Sequence, residues 1–128
     1  MLVQLKALHA ELREAINDLA ARTRTTAPDD DAISTSRLRL AKLNRRRRAL
    51  IGCILPLLHD APEAAAAQIA ALALDDARFA IDLSGHVGRW TMTAIRDDWV
   101  GYKRASAEMR ASLLRHIDRE AAVLSSLL

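Results

Sequence analysis

Apolar residues recur along most of this chain at three- and four-residue steps, the spacing of one face of a helix. Leu5, Leu8, Leu12, Ile16 and Leu19 predict a first helix from Val3 to Thr23, with Glu11, Arg13, Glu14, Asn17 and Asp18 on its other faces. The stretch TRTTAPDDDAISTS is polar, β-branched, acidic and contains Pro28, so it reads as a loop. Asp31 or Ser34 then supplies the cap of a second helix, from Ser34 to Leu58. Its stripe is Leu40, Leu43, Leu50, Ile51, Ile54 and Leu58, and Pro56 ends or kinks it in the last turn. His59 to Pro62 is a break, with Pro62 suited to a helix start. The alanine-rich run from Glu63 to Leu74 predicts a short helix. Asp75 and Asp76 are expected to open a third main helix that reaches Ile95, with Leu72, Phe79, Leu83, His86 and Trp90 on one side. Gly85 and Gly88 weaken its middle and leave room for another helix to approach. A turn at Arg96–Asp98 precedes a fourth main helix from Trp99 to Leu127, capped by Asp98.

Composition narrows the class. The 128 residues make one domain, expected over 1–128. Apolar residues reach 51% but aromatics only 3%, because the apolar content is largely Ala and Leu, both strong helix formers. Gly and Pro are too few for the turns of an all-β chain. The lone Cys53 excludes a disulfide framework and a multi-cysteine zinc site. No run of eighteen uncharged apolar residues occurs, so no membrane span is expected. The N-terminal MLVQLKALHAELREAI lacks a signal peptide's apolar block. The expectation is therefore a soluble, cytoplasmic, all-α protein: four amphipathic helices joined mostly by short connections, an up-down bundle. Net charge is +3, too modest to imply nucleic acid, and the bases are interleaved with acids as on a solvated surface.

A few polar residues interrupt the apolar stripes. On the fourth helix, at about 100° per residue, His116 and Glu120 lie within roughly 40° of each other and of Tyr102, Met109 and Leu113. Both therefore point inward. A buried carboxylate needs a cation, a metal or several donors; the plainest reading is a His116–Glu120 hydrogen-bonded pair. His9 belongs to the first helix's apolar face, and His86 sits among Phe79, Leu83 and Trp90 on the third. Three inward histidines and an inward glutamate on facing helices are the kind of set that builds an iron site in a bundle core. His59, beside Asp60 at a helix end, reads as a surface or dipole partner. Helices two and four also align at an offset of about 70 residues: Leu43 meets Leu113 and Ile54 meets Leu124, while His116 falls on Arg46 and Glu120 on Leu50.

The segments LHAELREAI and LLRHIDREAAVL, with ILPLL at the end of the second helix, resemble the hemerythrin-like, HHE cation-binding family. The resemblance spans the whole chain. It implies a four-helix bundle with non-haem iron held between its helices, a first-helix His at His9, a third-helix His at His86, and the fourth-helix His-x-x-x-Glu at His116 and Glu120. Trp99 and Tyr102 suit the start of the family's fourth helix. The second-helix His-x-x-x-Glu is missing, its aligned positions being Arg46 and Leu50, and Trp90 stands where hemerythrins proper carry another His. What the resemblance then implies is one ion, iron or similar, on His9, His86, His116 and Glu120, with a role in sensing oxygen, nitric oxide or redox state.

Arg45 to Arg48 point in four directions around a helix, so at least one faces the bundle or its edge. Arg47 lies nearer the stripe centre, and the repeat favours Arg46. Either one places a guanidinium opposite Glu120, a permanent cation where a second metal would sit; the alternatives are a solvated run with one arginine snorkelling and a nucleic-acid patch, which lacks interleaved aromatics. No Ser-His-Asp order, Cys-His pair or phosphate loop is present, so no enzyme is expected. The rival to the single-ion reading is a metal-free regulatory or protein-interaction bundle, with a protein partner or a homo-oligomer, on a degenerate hemerythrin fold. A phosphotransfer-like signalling module is a third reading.

Overall fold

Every stretch with helical apolar spacing is a helix in the computed structural model, which describes residues 1–127; Leu128 lies outside the described residues. The helices are α1 (Leu2–Arg22), α2 (Asp30–Ile54), α3 (Glu63–Arg89), α4 (Met92–Asp97) and α5 (Trp99–Leu127), with a 3₁₀ turn at Leu55–Leu58. The described residues contain no strand. α1 packs on α2 and on α5, α3 packs on α5, and the short α4 folds onto α5. No helix is long and apolar enough to cross a membrane.

Four boundaries differ from the sequence expectation, each for a local reason. α2 ends at Ile54 rather than Leu58, giving way to the 3₁₀ turn that contains Pro56, which has no amide to continue the helix. α2 starts four residues early, capped by Asp29, whose side chain accepts from the Ala32 amide at 3.1 Å. Asp31 and Ser34 lie inside the helix. Asp30 and Asp31 in the first turn suit the positive end of the helix dipole, and the earlier start lets Ile33 be fully buried against Trp90, Ile95 and Tyr102. α3 is one helix of 27 residues rather than a short and a long one. Asp75 and Asp76 do not cap anything, because both carboxylates are drawn sideways into ion pairs, with Arg119 and with Arg47 and Arg48 respectively. α3 also stops at Arg89 instead of running to Ile95. Trp90 leaves the helical region, and Thr91 caps the separate α4 by accepting from the Ala94 amide at 3.2 Å. Asp98 caps α5 as expected, accepting from the Gly101 amide at 2.9 Å.

The buried side chains fall into three clusters. The middle one joins Leu12, Ile16 and Leu19 of α1, Leu40 and Leu43 of α2, Phe79 of α3, and Leu113 and Ile117 of α5. At one end Leu5, Ile51, Ile54 and Leu124 pack together under the 3₁₀ turn. At the other, Ile33, Trp90, Ile95 and Tyr102 form an aromatic cap that also takes in Trp99. His9 lies between Leu5 and Leu12, Arg47 between Leu43 and Ile51, and Glu120 between Ile117 and Leu124. Sequence order thus sets one polar layer between two apolar clusters.

The Asp29 cap gives a simple check of the α2 boundary. Asp29→Ala should lower stability by about 1 kcal/mol in chemical denaturation, the usual cost of losing an N-cap, whereas Ser34→Ala should leave it within about 0.5 kcal/mol.

Candidate functional site

The polar layer is built on Arg47. Its position in the α2 stripe, four residues after Leu43 and four before Ile51, turns it inward, and its side chain has no solvent exposure. A guanidinium so placed must have its N–H groups met by protein. Nε donates to Asn44 Oδ1 at 3.0 Å, one turn earlier on the same helix. Nη1 donates to Glu120 Oε1 at 2.7 Å, and Nη2 to Asp76 Oδ1 at 2.7 Å. One planar fork therefore joins α2 to both α3 and α5.

Glu120 is equally buried. Its second oxygen, Oε2, lies 2.6 Å from His9 Nε2, which brings α1 into the layer. A carboxylate accepts only, so the imidazole donates from Nε2. Asp76 is mostly buried, and its second oxygen accepts from Arg48 Nε at 3.0 Å at the solvent edge. Burial works to raise the Asp76 pKa. The neighbouring His116, Arg47 and Arg48 together outweigh that and hold the carboxyl well below its usual range. His116 stacks on Phe79 with ring centroids 5.9 Å apart. Its Nε2 is 3.2 Å from Asp76 Oδ1, close enough for attraction but off the axis of a hydrogen bond, so the nitrogen has no hydrogen-bond partner.

Of the residues singled out from the sequence, the structure brings together His9, Arg47, His116 and Glu120. The expected His116–Glu120 pair is not the bonded one: those groups are 3.9 Å apart, and the imidazole bonded to Glu120 is that of His9. Arg46, about 100° around α2 from Arg47, points to solvent beside Glu11 and Lys42. His86 stands apart, nearer the aromatic end. It lies 6.1 Å from the Tyr102 ring and lines a cavity of about 40 Å³ with Arg37, Asn44, Leu83 and Met109. Burial and the nearby Arg37 lower its pKa, and its buried Nε2 has no partner. The four-residue set His9, His86, His116 and Glu120 therefore does not converge, because α3 places His86 nearly three turns beyond Asp76, the residue that does reach the layer.

Asp76, Asn44 and Arg48 were not expected in the layer. Asp76 was assigned to a helix start because paired aspartates commonly cap. The signal that placed it inward was present: Leu72, Asp76, Phe79 and Leu83 follow one another at four-, three- and four-residue steps.

The donor set does not fit a metal ion. Both oxygens of Glu120 are already engaged, one by a guanidinium and one by an imidazole N–H. The point on which the carboxylates of Glu120 and Asp76 converge is filled by Arg47, a cation that does not lose its proton. Among the described residues no group of three or more His, Cys, Asp or Glu side chains is arranged to hold a metal ion. What the layer does chemically is neutralise two buried carboxylates with one buried and one half-exposed arginine.

Two predictions follow from this geometry. Arg47→Met leaves Glu120 buried without its counter-charge and should cost about 3–5 kcal/mol. The double variant Arg47→Met, Glu120→Met should recover at least half of that loss in urea denaturation, since an apolar layer of similar volume has no stranded charge. The second concerns pH. Asp76 is depressed in the folded state, so its stabilisation is complete above the unfolded carboxyl value near 3.8 and is lost as pH falls below it. Asp76→Asn should therefore be less stable than wild type at pH 7 and show a shallower loss of stability between pH 5 and pH 2, measured by denaturation at a series of pH values.

No family model, curated protein sequence or solved structure matches this chain.

Proposed function

We propose that this chain is a metal-free regulatory or protein-interaction module, built on a degenerate hemerythrin-like plan in which the four long helices form the bundle. The observation that carries the reading is the Arg47 guanidinium, bonded to Glu120 and Asp76 at 2.7 Å each with no exposure to solvent. In the resembled family the space between the helices is where a cation sits. Here the cation is a side chain, fixed by its own chain and independent of supply. No catalytic group is proposed, since the layer is closed by protein contacts. The four-helix plan is supported by the middle cluster, to which α1, α2, α3 and α5 each contribute buried side chains.

A second reading, one iron or similar ion with a sensing role, keeps one observation in its favour. His116 Nε2 is buried and unpartnered, and it stands within 4 Å of both carboxylates of the layer. For that reading Arg47 has to withdraw so that His9, His116 and Glu120 can act as ligands.

Thermal melts with and without added iron(II) or zinc(II) separate the two. A ligand bound only by the folded state raises stability by mass action, by about 2.7 kcal/mol at a hundredfold excess over its Kd. The metal-free reading expects no shift of the wild-type melting temperature over a wide range of metal concentration. A rise that His116→Ala abolishes would overturn it in favour of the single-ion reading.

A further inference from the structure

α1 packs on α2, and α3 packs on α5; two hollows lie along the seam between α2 and α3. The inner one is the cavity of about 40 Å³ beside His86, room for about three water-sized atoms. The outer one is a surface groove of about 380 Å³ lined by Leu38, Val87, Trp90 and Met92. Arg37, Ala41 and Val87 line both, so the two hollows adjoin. Leu38 is 56% and Val87 51% exposed, two large apolar side chains left in water beside the groove.

The polar groups of the inner cavity are donors that lack an acceptor. Arg37 lays its guanidinium over the Tyr102 ring, 5.7 Å from the centroid, a cation–π contact that leaves the N–H groups at its edge unspent. Among the described residues Arg37 is in no ion pair. Asn44 gives its Oδ1 to Arg47 Nε at 3.0 Å, which fixes the amide and leaves its NH2 to donate elsewhere. His86 Nε2 is buried and unpartnered; with its proton there, the imidazole is a third donor. Among the described residues no Asp or Glu lines either hollow, so the positive charge of Arg37 is unmatched along the seam.

We propose that the seam binds a small amphipathic acid, its carboxylate in the inner cavity on Arg37, Asn44 and His86, its apolar tail in the outer groove along Leu38, Val87, Trp90 and Met92. Each part of the seam selects one part of that ligand. Donors without a facing acid exclude a cation and suit an anion, and the edge of a guanidinium matches a carboxylate in a two-pronged, charge-assisted contact. A carboxylate has three heavy atoms, the size of the inner cavity. A phosphoryl group is larger, carries more charge, and would meet a single permanent cation. The outer groove falls at the low end of small-molecule sites, roughly 300–1,000 Å³, and its apolar lining takes a hydrocarbon tail, not a second charge. Bound there, the acid bridges α2 to α3, and Asn44 connects its head to the Arg47 fork. The proposal gives the regulatory reading above a ligand, but it stands on the seam alone. Metal melts report on the Arg47 layer and acid binding reports on the seam, so either can fail without the other.

Calorimetric titration of the full chain with octanoate tests it. Octanoate should bind saturably at one site per chain. Octanol, which has the tail without the charge, and acetate, which has the head without the tail, should each bind at least about tenfold more weakly. Arg37→Met, which keeps a long side chain against Tyr102, should weaken octanoate binding at least about tenfold with unchanged helical circular dichroism, and Arg37→Lys should recover part of the loss. Leu38→Glu, an exposed position beside the groove, should weaken octanoate binding through its tail while leaving the head's donors in place. In NMR spectra the His86 ring signals should shift with octanoate and stay in place with octanol. No saturable octanoate binding over the millimolar range would mean that the cavity holds water only. Octanol binding as tightly as octanoate would mean an apolar groove without a head site, and octanoate binding indifferent to Arg37→Met would place the acid elsewhere. Each of these three results would overturn the proposal.

Discussion

A guanidinium with no access to water has to be held by fixed partners, and the rest of this structure is arranged around that requirement. Arg47 is met by Asn44 from its own helix, Asp76 from α3 and Glu120 from α5, and Glu120 in turn is met by His9 from α1. Leucine-rich helices slide past one another at little cost, because any apolar face packs tolerably on any other. A planar cation with two carboxylates does not slide: a shift of one turn strands a charge, at a cost of several kcal/mol. The layer therefore fixes the register of four helices at one height, and the leucines above and below it pack in the register it dictates.

The layer lies between the middle and end apolar clusters, where water is excluded and each hydrogen bond is electrostatically stronger. Its outer edge is different. Arg48 reaches Asp76 from a half-exposed position, and Arg119 and Asp75 pair beside it on the surface. Such exposed pairs contribute little, typically under about 1 kcal/mol.

α3 is the least enclosed of the long helices. It packs principally on α5, and its inward residues Leu72, Asp76 and Phe79 leave more than half of its circumference to solvent. Alanine, the best helix former, keeps such a helix folded without neighbours on every side.

The four long helices could be read from apolar spacing alone, because three- and four-residue steps dictate which side of a helix avoids water wherever that side ends up. The inward direction of His9, His116 and Glu120 followed from the same geometry. So did the presence of one inward arginine in the run Arg45 to Arg48, since four consecutive helical residues cannot all point outward. Which arginine it was depended on the packing of α2 against its neighbours. The periodicity pointed to Arg47 and the internal repeat to Arg46, and the stripe decided. The partners were beyond the sequence for a physical reason. A hydrogen bond between α1 and α5 joins residues 111 positions apart, and spacing along one helix says nothing about height on another. Asp76 was mistaken for a cap because local chemistry favours that role, and only an inward arginine across the core could draw it elsewhere. Tertiary structure alone decided that His86 stands with the aromatic end rather than the charged layer, and that the point between Glu120 and Asp76 is occupied by a cation from within the chain.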